Sequence, residues 1–193
     1  MSERPELLTR GSTVQAAQNI VAWLKPETEG TTPDRVDVTE RHIGQFSTAD
    51  EVKRHLSGRE GCIRVCALRV TEVENRNGLT GRVSWAAFIM ATDAWGYSRD
   101  LRCEVIAASV MSRLTVRGAH TGMKAERAAE NVRADNVYSG SLDGLGVAIW
   151  SVSWEQVFRL DEVVDLSTLD DFLRLGATVV HGSEPASDVI NVR

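Results

Sequence analysis

Two long strand-like segments joined by a tight-turn signal constrain the fold of this chain more than any other part of it. The segments "CIRVCALRVTEV" and "LTGRVSWAAFIMATD" are rich in β-branched and apolar residues, and the linking "ENRNG" ends in Asn77-Gly78. Because Asn-Gly is a strong signal for a short hairpin turn, the pattern predicts a long antiparallel β-hairpin. Both alternating faces of the second segment are apolar, so we expect both faces of that strand to be covered at least in part.

A further strand is predicted over residues 147–160, which contain two tryptophans. Alternate residues give it one large, apolar face, made of Ala148, Trp150, Val152, Trp154, Gln156, Phe158 and Leu160. The other face becomes polar toward its end, which is typical of a half-buried antiparallel strand. We interpret Trp150 and Trp154 as core anchors, since such pairs lie more often in cores or subunit interfaces than in ligand platforms.

Helices are predicted from the spacing of apolar residues and from capping residues. Residues 12–24 place apolar side chains on one face, with Ser12 as the N-cap and Pro26 ending the helix. In "STADEVKRHLSG", Thr48 caps a second helix and Gly58 ends it. A short strand, "RVDVTE", is expected between these two helices.

The second half of the chain adds a longer helix and several short elements. The segment "YSRDLRCEVIAASVMSRLTV" has helical period through Leu101, Val105, Ala108 and Ser112, with Ser98 as its cap. Residues 115–135 predict an ordered loop with a short extended piece. "STLDDFLRL" predicts a short helix.

Helices before and between antiparallel strands predict one α+β domain over residues 1–182. We expect an antiparallel or mixed β-sheet, helices packed on one face of it, and the long β-hairpin. Residues 183–193 are expected to form an extended C-terminal tail. Its apolar content is too small to offset the entropy lost on ordering, so we expect it to be disordered in a lone monomer.

Charge and composition exclude several classes of protein. The formal net charge is −5, so the chain lacks the basic surface of a nucleic-acid-binding protein. The start "MSERPELLTR" has no apolar leader and no segment is apolar for long enough to span a membrane, so we expect no membrane association. An odd number of cysteines, 3, favours free thiols in a reducing compartment such as the cytoplasm.

The cysteines and histidines show no metal-ligand spacing. Cys62 and Cys66 lie on one predicted strand, about 13 Å apart at about 3.3 Å per residue, which is too far to share an ion. The four histidines, His42, His55, His120 and His181, are scattered through the sequence. We therefore expect no metal site and interpret the cysteines as packed thiols.

No catalytic or cofactor motif stands out either. The glycines of "GSLDGLG" precede a strand, whereas a phosphate-binding loop follows a strand and opens a helix. Ser141 is not in a nucleophile-elbow pattern, and the acidic pairs are typical of solvated surface. A hydrolase stays open as an alternative, because catalytic triads form in space rather than in sequence, but we expect no enzyme and no cofactor.

The turn-rich segment and the strand after it together resemble a known family. The residues that carry the resemblance are Asn136, Tyr138, Ser139, Gly146, Trp150, Trp154 and Gln156. Their arrangement in "DNVYS" and "GVAIWSVSWEQ" is similar to the signature of the Mu-like phage tail terminator family, also called tail completion proteins. The rest of the chain resembles that family more loosely.

The resemblance implies a structural virion protein without catalytic residues. Such subunits form a homo-hexameric ring on the head-proximal end of the tail tube, stop tube polymerisation and present a surface to the head-tail connector. The implied partners are therefore the chain itself, the tail tube protein and the connector or stopper protein, with DNA crossing the pore without specific binding. The implied location is the tail or neck of the virion, and the host cytoplasm during assembly.

A ring must associate through sheet edges, loops or a tail. The candidate subunit contacts are Asn77, Gly78, Val189, Ile190 and Val192, at the hairpin tip and in a tail that could add a strand to a neighbour's sheet. Two alternatives remain open, a neighbouring neck or connector subunit and, in a different class, a small cytosolic hydrolase.

Overall fold

The structure is a computed structural model that describes residues 6–46, 48–56, 58–76, 78–137, 144–161, 174–181 and 184–191, with side chains described as far as Asp161, Ala49 excepted. The chain forms two compact units, Met1–Asp161 and Glu162–Arg193. The expected boundary after Gly182 therefore falls inside the second unit.

The first unit is an α+β domain. Its elements are α1 (Thr13–Thr28), β1 (Val38–Arg41), α2 (Ala49–Leu56), β2 (Gly61–Asn75), β3 (Leu79–Ala91), α3 (Arg99–Thr115), α4 (Ala119–Gly122), β4 (Glu130–Asn136) and β5 (Ala148–Arg159). The sheet has strand order β1-β2-β3-β5-β4. Only the β1–β2 pair is parallel among these strands, so the sheet is mixed. The predicted α+β fold with a long β2–β3 hairpin is confirmed.

The sheet carries a hydrophobic core on each face. On one face, α1, α3 and α4 pack through residues such as Ile20 and Ile106 against alternate residues of β3 such as Trp85. On the other face, α2 packs through Val52 against the opposite alternation of β3, which includes Phe88. The expectation of helices on one face is thus correct for α1, α3 and α4 and wrong for α2. Because β1 and β2 are parallel neighbours, the chain must cross over between them, and α2 is that crossover helix.

The alternation predicted for β5 is confirmed. Val152, Trp154, Gln156 and Phe158 are buried on the face that contacts α1 and α3. Trp150 lies on the same face but is only partly buried. At the start of the strand, Ile149 is buried on the other face as well, so β5 begins inside the protein and becomes half-buried toward its end.

The apolar face predicted for α3 is wrong. Leu101 and Val105 are 47% and 45% exposed, whereas Ile106, Val110 and Leu114 are buried. These three residues, together with Cys103, repeat at spacings of three and four, as the residues of the predicted stripe also do. Both stripes are apolar, so helical period alone did not distinguish them.

Helix α1 continues past the proline that was expected to end it. Pro26 lies inside α1, exposed on its solvent side. Proline removes the bond to the carbonyl of Ala22, which is also exposed and can be hydrated. The last turn is held by the Thr28 hydroxyl, which donates to the Leu24 carbonyl at 3.0 Å. The predicted N-cap is confirmed, since the Ser12 side chain accepts from the amide of Gln15.

A buried arginine joins α3 to the segments around it. Arg102 is 3% exposed, and its guanidinium donates to the carbonyls of Pro33 (3.1 Å), Glu60 (3.0 Å), Thr92 (2.8 Å) and Arg35 (3.4 Å). These carbonyls lie in loops between different elements of the first unit. One side chain therefore fixes several separate segments at the end of the sheet.

The second unit contains a β-hairpin. Strands β6 (Arg174–His181) and β7 (Glu184–Asn191) pair antiparallel, with Val189 opposite Gly176 and Ile190 opposite Leu175. Residues 184–191 of the expected C-terminal tail therefore form β7 and pair within the chain, which differs from the disorder expected for a lone monomer. Most of the predicted "STLDDFLRL" helix and the candidate contact Val192 lie outside the described residues.

Candidate functional site

Two of the signature residues form a buried hydrogen-bond chain. The indole Nε1 of Trp154 donates to Oε1 of Gln156 at 3.2 Å, and Nε2 of Gln156 donates to the carbonyl of Arg127 at 2.9 Å. The Trp154 ring also stacks near Trp85, with ring centroids 6.3 Å apart. Trp154 and Gln156 therefore fasten the segment between α4 and β4 to the middle of the sheet, which is a structural role.

Three other signature residues meet at the surface. Asn136 is the register partner of Trp150 across the β4–β5 pair, and both line a depression together with Arg99 and Asp100. Gly146 has φ of +68°, and a Cβ built there would lie 3.5 Å from the Arg99 guanidinium. Glycine suits this left-handed backbone. These residues thus form a group at the surface of the first unit.

The remaining two signature residues, Tyr138 and Ser139, lie outside the described residues. The signature as far as it is described thus separates into a buried pair and a surface group.

The far half of β2 is an exposed arm at the edge of the sheet, while its neighbour β3 stays paired with β5. Strand β2 is buried from Gly61 to Cys66 and exposed from Leu68 onward. Leu68, Val70 and Val73 are 40%, 37% and 56% exposed, so three large apolar side chains lie at the surface on this part of the strand. The arm therefore offers apolar surface that no described residue covers.

The turn of this arm agrees with the hairpin prediction. Gly78 has φ of +100°, and a Cβ there would lie 2.7 Å from both Arg159 Nη1 and Asp161 Oδ2. Beside it, the amide of Leu79 donates to Asp161 Oδ2 at 2.7 Å. Gly78 is thus required by the local packing, while its role as a subunit contact stays a prediction. Asn77 lies outside the described residues.

An ion-pair cluster joins the arm to the other edge of the sheet. Arg82 Nε lies 2.8 Å from Glu72 Oε2, and Arg82 Nη1 lies 2.5 Å from Glu130 Oε2 and 3.9 Å from Glu155 Oε2. The hydrogen bond from Arg82 lowers the pKa of Glu130 below its ordinary value. The exposed carboxylates make each pair weak, but together they orient the base of the arm.

A second apolar surface lies at the start of α3. Tyr97, Leu101 and Val105 are exposed and line a shallow depression with Pro33 and Asp34. Leu101 and Val105 of this surface belong to the apolar face that the helical period predicted for α3.

Two of the four histidines come together with a glutamate, which the sequence analysis did not anticipate. His42 follows β1, and Glu51 and His55 lie one turn apart on α2. The potential ligand atoms of these three side chains lie within 4.8 Å of one another. His42 is 7% exposed, and its Nε2 lies 3.9 Å from Glu51 Oε1 without a hydrogen-bond partner among the described residues.

Aromatic and basic residues define the surroundings of this cluster. The Phe46 ring stacks on His42 at 4.5 Å, and the His42 and His55 rings meet edge to face at 4.6 Å. Arg64 donates to the His55 carbonyl at 3.1 Å and forms an ion pair with Glu40. Burial lowers the pKa of both His42 and His55, and the charge of Arg64 lowers it further. Both imidazoles are therefore neutral at neutral pH and retain a nitrogen lone pair.

The only sequence signal for this cluster was the spacing of four between Glu51 and His55 on a predicted helix, which places them on one face. His42 follows β1 rather than lying on α2, and no local sequence pattern connects it to Glu51 and His55.

The cysteines are packed thiols, as predicted. Cys62, Cys66 and Cys103 are free and buried. Burial raises the pKa of Cys66 to about 11 and that of Cys103 to about 12. Cys62 and Cys66 belong to the core under α2, and Cys103 to the core under α1 and α3.

Comparison with known proteins leaves the family of the chain open. No helix among the described residues combines the length and apolarity needed to cross a membrane. No protein-family model and no curated protein matches this chain.

Proposed function

We propose that the chain is a subunit of a homo-hexameric ring that caps the head-proximal end of a phage tail tube. In this role it stops tube polymerisation and joins the tail to the head-side connector. The proposal starts from the resemblance to tail terminators in "DNVYS" and "GVAIWSVSWEQ". It makes the protein a structural component of the virion, assembled in the host cytoplasm, with no catalytic step.

The observation that carries the proposal is the exposed apolar arm formed by the far half of β2. Leu68, Val70 and Val73 lie exposed on it, and this part of β2 is a sheet edge because β1 pairs with β2 only between Cys62 and Val65. An exposed edge strand with apolar side chains favours association with another chain. We expect a neighbouring subunit to cover this edge in the assembled ring. The short edge strand β1 and the edge strand β4 offer further surfaces for association.

The signature fits the same role. Trp154 and Gln156 stiffen the centre of the subunit, while Asn136, Gly146 and Trp150 form a surface group around Arg99. A subunit that must hold its shape under the pressure of packaged DNA needs a rigid centre and a separate contact surface. We assign the surface group to contacts with the tail tube protein or the connector.

The charge of the chain suits a pore that DNA crosses. Each subunit has a formal net charge of −5, so six times that charge is −30 for a hexamer. Because this charge repels the phosphate backbone, DNA is expected to pass without specific binding.

The deciding experiment is electron microscopy of phage particles that lack this gene. A missing terminator gives overlong tails without heads, and the wild-type gene supplied in trans restores normal length. Tails of normal length that fail to join heads would instead indicate a neck or connector subunit. Normal, infectious particles would contradict both structural roles.

Light scattering on the purified protein gives an independent measurement. The proposal expects hexamers, or monomers that become hexameric on isolated tube ends. A strict monomer with hydrolytic turnover and no binding to tubes would favour the hydrolase alternative.

A further inference from the structure

We propose that His42, Glu51 and His55 form a binding site for a zinc ion. The site is separate from the signature surface and from the arm, and it does not depend on the proposed role in the tail. It would hold the metal between the end of β1 and the crossover helix α2.

The donor set suits zinc. Zinc binds imidazole nitrogen and carboxylate oxygen, and sites with three protein ligands keep a fourth position for water. Two imidazoles and one carboxylate, with ligand atoms within 4.8 Å of one another, supply that set. Zinc-ligand distances of about 2.0–2.2 Å place tetrahedral ligand atoms about 3.3 Å apart. Side-chain rotations of Glu51 and His55, which lie partly exposed on α2, can bring the atoms to that separation.

The buried histidine argues for a ligand rather than for simple packing. The His42 side chain is 6% exposed, and its Nε2 has no hydrogen-bond partner among the described residues. A buried polar atom without a partner is destabilising, and most such atoms in folded proteins are satisfied. The His42 Nε2 is directed toward Glu51 Oε1 at 3.9 Å, a separation that an ion between the two atoms would bridge.

The surroundings can accommodate a cation. The Arg64 guanidinium lies beside the cluster, where it donates to the His55 carbonyl, and the Glu40 carboxylate pairs with it. Phe46 stacks on His42 and limits its ring orientation, which preorganises one ligand. Glu51 and His55 remain partly exposed, so an ion can enter from the α2 side.

A zinc ion here would cross-link α2 to the sheet. The helix has only eight residues and contacts its core mainly through Val52 and Leu56. Helices this short are marginal on their own. Metal binding is therefore expected to slow amide hydrogen exchange in α2 more than elsewhere in the first unit.

The test is calorimetric titration of the full-length protein with zinc chloride after removal of metal by a chelator. We expect one ion per chain with a dissociation constant in the micromolar range or tighter. Glu51→Gln and His55→Gln should each weaken the affinity at least about 100-fold, since loss of an outer-shell partner alone costs about 10- to 100-fold. His120→Gln, a histidine on α4 outside the cluster, is the matched control and should bind like wild type.

A second measurement uses only the wild-type chain, so it does not depend on how the variants fold. On addition of zinc, the imidazole NMR signals of His42 and His55 should shift while that of His120 stays in place. The proposal is overturned if wild-type binding is weaker than about 100 μM. It is equally overturned if the two cluster variants keep wild-type affinity, if His120→Gln loses it, or if the signals of His42 and His55 do not move.

Discussion

Trp154 and Gln156, two residues apart on one face of β5, are joined by a 3.2 Å hydrogen bond from the indole Nε1 to the amide Oε1. The Gln156 amide in turn donates to the Arg127 carbonyl. The sequence "WEQ" thus forms two consecutive hydrogen bonds that connect a central strand to a loop. The Trp154 indole differs in this respect from the neighbouring Trp85 indole, whose buried Nε1 has no hydrogen-bond partner among the described residues.

This difference predicts unequal effects of the same substitution. Trp154→Phe leaves the Gln156 oxygen without its donor, whereas Trp85→Phe removes an indole N–H that has no partner. We expect Trp154→Phe to lower the free energy of unfolding by about 1–3 kcal/mol more than Trp85→Phe. Urea unfolding of both variants measures this difference in the free energy of unfolding. Equal losses would mean that the hydrogen bond contributes nothing beyond ring volume.

Burial also predicts a difference between the two signature tryptophans. Trp154 is 1% exposed, so Trp154→Ala should cost about 3–5 kcal/mol of stability. Trp150 is only partly buried, and Trp150→Ala should cost less than about 3 kcal/mol. Thermal and chemical unfolding check the order. If Trp150→Ala kept full stability and lost binding of a small molecule, a ligand platform would replace the role in subunit contacts.

The buried thiols predict a loss of stability at alkaline pH. The pKa of Cys66 rises from an ordinary value of 9.0 to about 11, and that of Cys103 rises to about 12. The unfolded chain therefore releases these protons first. The stabilising contribution is complete below pH 9.0 and is lost as the pH rises through the folded pKa values.

Urea unfolding at about pH 8 and about pH 10.5 measures this loss, with Cys66→Ala as the comparison. The variant should lose less stability between the two pH values than wild type does. An identical loss in both proteins would assign the alkaline effect to other groups.

The exposed arm predicts an assembly defect without a folding defect. Val73 on the arm and Val116 after α3 are 56% and 57% exposed, so they form a matched pair. Val73→Asp and Val116→Asp should each change stability by no more than about 0.5 kcal/mol. Only Val73→Asp should reduce ring formation, as measured by light scattering or by binding to tube ends. Normal assembly of Val73→Asp would remove the arm from the subunit interface.

Local sequence patterns predicted the elements whose cause is local. The alternation of residues 147–160 identified the buried face of β5, and Asn77-Gly78 located the hairpin turn where Gly78 has positive φ. The Thr48 hydroxyl accepts from the amide of Glu51 at 3.2 Å, as a capping residue should. In each case the residues that decide the structure lie close together in the chain.

The failures have non-local causes. Leu101 and Val105 fit a helical stripe as well as their buried neighbours do, and only packing on the sheet decides between the stripes. The amide of His42 donates to the Val65 carbonyl in the parallel β1–β2 pairing, at 2.7 Å. That pairing places His42 close to α2. No local repeat of apolar residues indicates this pairing. The histidine cluster was therefore invisible to a search for motif spacing.

Arg102 has a consequence for how the first unit opens. Its guanidinium holds carbonyls from both sides of the long connection between α1 and β2 as well as the end of β3. If one of these segments moves away alone, the buried Arg102 guanidinium loses a hydrogen-bond acceptor. We therefore expect the motions of these segments to be coupled. The first unit should therefore exchange its protected amides at this end of the sheet in one concerted event rather than loop by loop.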